Sequence, residues 1–378
     1  MRGPLPLSKV ALPAMLAALV ASCGSGGVVA ALLLGDPNPG LDAPTLAAFQ
    51  RGKEVFTRRF LRSEGHGPDF NTASCRACHE IPVTGGSAPL YRNFFLGQNS
   101  SPSGPVGAFE GNQLVARSFS HVRAAREPIS AAIQVVAQRN APPMFGLGQL
   151  ERIPEADILA NQDPFDDDGD GISGFANFDL AAVGRFGYKA QSGSLVSFVR
   201  GPLFNQMGIT TDPLPALAQV GAPDQPTRDN DGVPDPELPA AELRDLVTFV
   251  RELAPPSPLP MDAEARAGEQ LFLTIGCAKC HIPNIVRSGT PVFAFTDLLL
   301  HDLGAPNGDG VRMGNATSRE FRTQPLWGLR HHAPFLHDGR ADTIEEAILE
   351  HGGEATASRD AFAGHPNRAA LVRFLETR

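Results

Sequence analysis

The sequence predicts a mainly α-helical protein of two domains, the first of which is enlarged by long loops. Three observations lead to this prediction. A Cys-x-x-Cys-His motif occurs twice, at residues 75–79 and 277–281. Each copy lies between two segments that have apolar residues at helical spacing. Glycine and proline are abundant, with 39 and 34 among the 378 residues, which is typical of long, turn-rich connections.

The length and charge of the chain exclude some classes of protein. The 378 residues suffice for two hydrophobic cores, and a hydrophobic content of 42% is that of a globular protein. The formal net charge of -9 argues against nucleic acid as a partner, since binding to phosphates requires a surplus of lysine and arginine. We therefore expect a globular protein that does not bind nucleic acid.

Residues 1–23 have the features of an export signal. Arg2 and Lys9 supply positive charge, and the apolar run that follows is too short to span a bilayer. The run ends in small residues before Cys23, which resembles the lipobox of bacterial lipoproteins, where this cysteine is acylated and becomes the mature N-terminus. We expect a lipid anchor at Cys23, a tether over residues 24–44, and a periplasmic protein held at the outer membrane. The alternative is a plain secretory signal in which Cys23 is incidental.

The remaining four cysteines all belong to the two motifs, CRACH and CAKCH. This is the spacing of covalent c-type haem attachment, in which two thiols add to the haem vinyl groups and the adjacent histidine binds the iron. A four-cysteine zinc site would join motifs about 200 residues apart and needs no histidine. Disulfide frameworks are typical of smaller, cysteine-rich chains. The sequence therefore predicts two covalent haems, held by Cys75, Cys78 and His79 and by Cys277, Cys280 and His281.

Four segments are predicted to be amphipathic helices. Residues 46–60 and 240–253 flank the first motif, and residues 262–276 and 367–378 flank the second. Both pairs resemble the N- and C-terminal helices that cross in class I cytochrome c domains. We therefore expect two domains of this kind, with the long loop insertions in the first.

The domain boundary is placed in a proline-rich segment, APPSPLP, which ends one helix and stiffens the connection to the next. We place the boundary near residue 257. The first domain then covers residues 45–257 and the second covers residues 258–378.

Two acidic loops in the first domain have the spacing of calcium ligands. In DPFDDDGDGISG, the alternating acids Asp166, Asp168 and Asp170 precede a glycine, as in calcium-binding loops. A shorter version places Asp229 and Asp231 before a glycine. Neither loop has a glutamate at the twelfth position. Calcium binding and a solvated acidic turn both remain open for each loop.

Long stretches around these motifs resemble one group of proteins, the bacterial di-haem cytochrome c peroxidase superfamily. Within it the chain is similar to the di-haem oxidoreductases that often carry a thiol oxidoreductase label. The resemblance covers roughly residues 45–378 and rests on GPDFNTASCRACHE, GRFGYKA and FRTQPLWGLRHHAPFLHDGRADTIEEAILEHGGEA. The thiol label does not follow, because the four cysteines near these motifs are all assigned to haem.

The resemblance assigns a second ligand to the C-terminal haem. Peroxidases of this superfamily have a FHDG-like turn followed fourteen residues later by a methionine that binds this haem. In FLHDG the same count from His337 leads to His351. His351 would then face His281 across the iron, and imidazole in place of thioether would lower the reduction potential. Met313 and His301 are the competing ligands.

The resemblance also places two residues near the N-terminal haem, which His79 binds. The segment GPLFNQMG is similar to the peroxidase GPLLNPVEMG with two residues fewer, so that Gln206 stands at or near the position of a glutamate. A glutamate there can move a proton, whereas an amide cannot titrate. Tyr188 takes the position of the tryptophan that lies between the two haems. His121 is a candidate displaceable ligand, and an exposed histidine is the alternative.

The function implied by the resemblance is that of a redox enzyme of the periplasm or outer membrane. Its N-terminal haem would activate peroxide or dioxygen, and its C-terminal haem would transfer electrons. Its partners would be a small redox protein or other electron donor, or a protein whose side chain is oxidised. The alternative is a non-catalytic di-haem electron carrier in which both irons are saturated with ligands.

Overall fold

The computed structural model describes residues 32–67, 69–98, 113–116, 119–120, 135–211 and 232–378. The predicted export signal with Cys23, the candidate ligand His121, and the acidic pair Asp229 and Asp231 lie outside the described residues. Within them, no helix combines the length and the apolar character that a membrane crossing requires.

Helices make up most of the regular structure in the described residues, which confirms the mainly α prediction. The α-helices are α1 (Ala43–Thr57), α2 (Leu147–Glu151), α3 (Glu155–Leu159), α4 (Leu195–Met207), α5 (Ala240–Glu252), α6 (Ala263–Thr274), α7 (Ile344–Leu349), α8 (Thr356–Ala363) and α9 (Arg368–Glu376). Each Cys-x-x-Cys-His motif begins in a single 3-10 turn, at Cys75–Ala77 and at Cys277–Lys279.

The strands are short and all pair in antiparallel fashion. They are β1 (Asp69–Phe70), β2 (Phe94–Gln98), β3 (Gln113–Ala116), β4 (Phe119–Ser120), β5 (Val135–Arg139), β6 (Phe178–Asp179), β7 (Ala182–Val183), β8 (Leu300–Asp302) and β9 (Glu320–Arg322). The largest sheet has the order β3-β2-β5, and β1-β4, β6-β7 and β8-β9 form two-stranded sheets. These strands lie in the long connections between the helices.

Helices α1 and α5 pack closely against each other. The side chain of Asp42 caps the first turn of α1 by accepting a hydrogen bond from the backbone N–H of Thr45. At Gly52 a Cβ atom would lie 2.0 Å from the carbonyl oxygen of Asp245, so only glycine allows this approach. The rings of Phe49 and Phe249 meet at 5.0 Å between centroids. This packing holds the start and the end of the first predicted domain together.

Helices α6 and α9 repeat the same arrangement after the second motif. Asp262 caps α6 by accepting from the backbone N–H of Ala265. A Cβ at Gly268 would lie 1.9 Å from the carbonyl oxygen of Ala370. The rings of Phe272 and Phe374 meet at 5.4 Å between centroids. The four predicted amphipathic helices therefore form, and each pair crosses at a glycine.

Four apolar clusters form the core of the described residues, and two of them are large. The larger one surrounds α1, α4 and α5, and it also contains Ile285, Val292 and Leu298 from the loop after the second motif. The smaller one lies between α6 and α9 and includes Phe295 and Phe335. The chain from residue 32 onward forms one compact unit. The boundary near residue 257 stays a prediction.

Candidate functional site

The second motif opens into an apolar cavity of about 220 Å³. Cys277, Cys280 and His281 line it. The His281 Nδ1–H donates a hydrogen bond to the carbonyl oxygen of Phe295 at 3.0 Å, which leaves the Nε2 lone pair free to bind a metal. Burial, with a contribution from His351, lowers the pKa of His281 to about 4, so its ring is neutral at pH 7. A neutral imidazole with a fixed tautomer is what a metal ligand requires.

A second imidazole faces His281 in the same cavity. His351 follows the end of α7, and its Nδ1–H donates to the carbonyl oxygen of Ala347 at 2.7 Å, one turn earlier. The ring centroids of His281 and His351 lie 6.5 Å apart. A metal ion about 2 Å from a nitrogen of each of two imidazoles separates the ring centres by about 6 Å. The spacing therefore fits one iron between the two rings.

Glycines after His351 allow the chain to turn here. Gly353 has a φ of +56° and a Cβ there would lie 2.1 Å from the carbonyl oxygen of Asp302. A Cβ at Gly352 would lie 2.7 Å from the carbonyl oxygen of Leu303. The close approach to the chain around β8 explains why two glycines end this helix.

Of the two competing ligands of the C-terminal haem, His301 lines the same cavity but is bound to other side chains, and Met313 lies in the other cavity. Both ring nitrogens of His301 donate to carboxylates, with Nε2 at 2.8 Å from Asp297 and Nδ1 at 2.9 Å from Glu354. Burial alone would lower the pKa of His301, but the hydrogen bonds to Asp297, Cys280 and Glu354 outweigh it and hold the pKa well above its usual value. An imidazolium has no lone pair to offer an iron. Met313 lines the other cavity.

The first motif opens into a second cavity of about 270 Å³. His79 lines it, and its Nδ1–H donates to the carbonyl oxygen of Gly86 at 3.1 Å. Burial lowers the pKa of His79 to about 4. The walls are largely apolar, with Phe94, Met144 and Phe198 among them. The motif histidine of this cavity thus repeats the arrangement of His281, whereas Cys75 and Cys78 are not among the residues that line it.

The four motif cysteines are free thiols in this structure. Burial raises the pKa of Cys75 and of Cys277 to about 12 and that of Cys78 to about 11, so these thiols are protonated at neutral pH. Among the described residues the four cysteines do not meet in one metal site. Reactive thiolates and a shared zinc site are therefore not supported. Two half-buried thiols beside a metal-competent histidine fit a haem at each motif, and the thioether bonds stay a prediction.

Helix α4 lies along the N-terminal cavity and brings Gln206 to it. Gly201, Pro202 and Gln206 line the cavity. The side-chain oxygen of Gln206 accepts a hydrogen bond from Asn71 Nδ2 at 2.7 Å. Gln206 thus stands at the cavity with its amide orientation set by Asn71, and it offers no titratable group.

A carboxyl that the sequence did not single out also lines this cavity. Asp179, at the end of β6, is the one acidic side chain among its described lining residues. Its Oδ2 accepts from the backbone N–H of Gly193 at 3.0 Å. Burial raises the pKa of Asp179 to about 6. No local motif marks this aspartate, because it reaches the cavity through a short hairpin.

Tyr188 lies between the two cavities. It lines both of them, as do Arg322 and His332. Its hydroxyl donates to the carbonyl oxygen of Leu336 at 3.5 Å, and its ring stands edge-on to His337 with 6.4 Å between centroids. Burial raises the pKa of Tyr188 above its usual range. The phenol is therefore neutral at neutral pH.

The described acidic loop brings together a different trio from the predicted one. Carboxylate oxygens of Asp163, Asp166 and Asp168 lie within 4.8 Å of one another. Asp170 instead pairs with Lys279, in the second motif, at 3.0 Å. Exposed acidic groups often cluster without a metal, so calcium at Asp166, Asp168 and Asp170 stays a prediction.

Comparison with known proteins finds a family model that matches more than half of the chain. Residues 130–378 match the family described as "Di-haem oxidoreductase, putative peroxidase". The methylamine utilization protein MauG of Methylorubrum extorquens is 34% identical over 132 residues, which cover 30% of this chain and 34% of that protein. The match thus spans about a third of the length of this curated relative.

Solved structures are similar at low sequence identity. The diheme peroxidase BthA from Burkholderia thailandensis E264 is 18% identical, with 91% of this chain and 87% of that chain covered and a TM-score of 0.44. A MauG-like protein associated with microbial copper homeostasis is 16% identical, with 90% and 92% covered and a TM-score of 0.41.

Proposed function

The chain belongs to the di-haem oxidoreductase family, and from this membership we propose an enzyme whose N-terminal haem reacts with peroxide or dioxygen while its C-terminal haem transfers electrons. Family membership makes it a haem-dependent oxidoreductase with two haems. The finer division of labour is the proposal. Bound haem would supply the redox-active iron, and the residues of each cavity would decide what that iron can bind.

The observation that carries the proposal is the asymmetry of the two cavities. In the C-terminal cavity His281 faces His351 at 6.5 Å between ring centroids. In the described part of the chain no imidazole lies at a comparable distance from His79, whose ring neighbour is Phe56 at 6.1 Å. Two imidazoles saturate an iron and suit it to electron transfer, whereas a single protein ligand leaves a position for an oxidant.

The polar groups of the cavities support the same assignment. Gln206 and Asp179 line the N-terminal cavity, where one can hold a hydrogen bond and the other can exchange a proton. In the C-terminal cavity the acid Glu354 is bound to His301 instead. A hydrogen-bonding group and a group that can exchange a proton thus line the cavity in which the oxidant would react.

Tyr188 supports the proposed passage of electrons between the haems, because its ring lines both cavities. Its neutral phenol would have to release a proton when oxidised, and the nearest hydrogen-bond acceptor is the Leu336 carbonyl. We expect Tyr188 to assist transfer less readily than a tryptophan would.

The proposed architecture is two class I cytochrome c-like domains, each built on one crossing helix pair, α1 with α5 and α6 with α9. We further propose covalent thioether attachment at both motifs and an outer-membrane lipoprotein anchored at Cys23 in the periplasm. Its partner would be a small redox protein that donates electrons, or a protein whose side chain is oxidised. These statements rest on the motifs and on the resemblance described above.

The test is spectroscopic and uses the protein matured in a host that attaches c-type haem. We expect two haems per chain by mass, with one high-spin and one low-spin haem in the ferric electron paramagnetic resonance spectrum. Cyanide should convert the high-spin signal, and peroxide should oxidise the protein. Two low-spin haems that resist both reagents would support the electron carrier and contradict the enzyme.

A further inference from the structure

Arg322 is a buried cation at the boundary of the two cavities. It ends β9, is 6% exposed, and lines both cavities. Its guanidinium donates three hydrogen bonds, from Nε to the carbonyl oxygen of Gly187 at 2.9 Å, from Nη1 to that of Thr323 at 3.1 Å, and from Nη2 to the side-chain oxygen of Gln324 at 2.7 Å. All three acceptors are neutral.

Arg322 has no carboxylate partner among the described residues. Nearby Arg139 is buried to a similar degree, but it pairs with Asp309. Asp309 also forms an ion pair with Lys189 at 3.5 Å, so two cations share one carboxylate. The acid that acts on Arg322 is Asp297, whose carboxylate is bound to His301.

A buried guanidinium without a counter-charge is costly, and proteins rarely retain one unless a bound group neutralises it. Burial lowers the pKa of Arg322 to about 10, which reflects this cost. Arginine has five N–H groups. Three are used in the bonds described above, so two N–H groups remain for an anion.

We propose that Arg322 is a cofactor-binding residue that neutralises one carboxylate of the haem in each cavity. The inference rests on the proposed di-haem function, because the two anions are haem propionates. Carboxylates bind guanidinium groups in preference to ammonium groups because the planar fork offers directed pairs of donors. One cation shared between both haems would raise the reduction potential of each.

The same residue also holds the segment that carries Tyr188. The backbone N–H of Arg322 donates to the carbonyl oxygen of Tyr188 at 2.8 Å, and its Nε donates to the preceding carbonyl. Binding of both haems and placement of the tyrosine between them would thereby depend on one residue.

The test compares Arg322→Gln with a matched control, Arg330→Gln. The Arg330 guanidinium bonds the carbonyl oxygens of Arg378 and Ser257, both at 2.9 Å, and it lines neither cavity. Spectroelectrochemical titration of the matured protein measures both midpoint potentials. In Arg322→Gln we expect both midpoint potentials to fall by about 59 mV, which for a one-electron couple is a tenfold change in the ratio of reduced to oxidised haem. Arg330→Gln should leave both unchanged.

Several outcomes would overturn the inference. A shift of one haem alone would contradict a shared cation, and no shift, or an equal shift in the control, would remove the role altogether. Arg322→Lys keeps the charge and covers the case in which the glutamine variant does not fold. Its potentials should stay closer to those of the unchanged protein, and a fall in the lysine variant as large as that expected for glutamine would contradict the electrostatic argument. Wild-type protein with two haems but no peroxide reaction would refute the proposed enzyme and leave this test valid.

Discussion

Replacing His351 by alanine should convert one haem per chain from low spin to high spin while both haems stay attached. The His351 and His281 rings are centred 6.5 Å apart. The alanine methyl carbon would lie about 3.5 Å from the position that the imidazole Nε2 occupied. This gap is longer than a metal–nitrogen bond of about 2 Å, so the alanine side chain cannot replace the ligand. His301 cannot replace the lost ligand, because Asp297 and Glu354 hold both of its nitrogens.

The protein should remain folded in this variant. The change removes the hydrogen bond from His351 Nδ1 to the Ala347 carbonyl, whose net contribution to the free energy of unfolding is about 1 kcal/mol. Attachment depends on Cys277 and Cys280, which are unaltered. The companion variant His351→Met should stay low-spin and raise the potential of that haem, within the range of about 0.8 V that axial ligands span.

The assay combines electron paramagnetic resonance, a visible spectrum and haem content by mass. His365→Ala is the control, since His365 accepts a hydrogen bond from the Asn367 backbone and lines neither cavity. We expect one additional high-spin haem in His351→Ala and none in the control. An unchanged spectrum would refute the ligand assignment, and a change at the haem of His79 would refute the pairing of His351 with His281.

Three further predictions concern the surroundings of the haems. Gln206→Glu should make the rate of peroxide consumption depend on pH and raise it by about 10²-fold, the lower end of the range for general acid–base catalysis. Stopped-flow traces measure this rate, and a rate that does not change with pH would contradict a role at this position. Tyr188→Phe should slow electron transfer between the haems after rapid mixing with peroxide. The control Tyr91→Phe, at a side chain that is 75% exposed, should not change this rate. Equal electron-transfer rates in the two variants would exclude Tyr188 from the path. The pKa of His301 is raised, so its pairing with Asp297 and Glu354 stabilises the fold fully below about pH 6.5 and loses this effect as pH rises through the raised pKa. Denaturant unfolding of the holoprotein measures the difference in the free energy of unfolding between wild type and His301→Gln. This difference should therefore shrink at alkaline pH, and a difference that grows there would be inconsistent with an imidazolium.

Local sequence features were enough to predict the crossing helices. Apolar spacing predicted residues 46–60, and α1 covers Ala43–Thr57. The shift has a local cause, because Asp42 caps the helix early and Arg58 leaves the helical conformation at its end. The helix around residue 268 was located more closely, at Ala263–Thr274. Periodicity thus locates helices well but does not define their ends, which capping bonds decide.

The site was predicted only in part. The second motif, the histidine of the first motif and the count to His351 pointed to residues that the structure places in two cavities. Arg322 and Asp179 were missed, because each reaches a cavity from a short strand without any marked spacing. The acidic loop shows the reverse case, since Asp170 has calcium-like spacing and yet pairs with Lys279, more than a hundred residues along the chain.

By itself the sequence determined the number of haem motifs, the four helices around them and the family. Each of these depends on spacing within a short stretch of chain. Only the tertiary structure decided that His301 is held by two carboxylates, that Tyr188 lies at both cavities, and that Arg322 is buried there without a carboxylate partner among the described residues. These properties depend on charged groups that are distant in sequence and meet in a low-dielectric interior. There, the presence or absence of a charged partner within a few ångströms decides whether a group is protonated and what it binds.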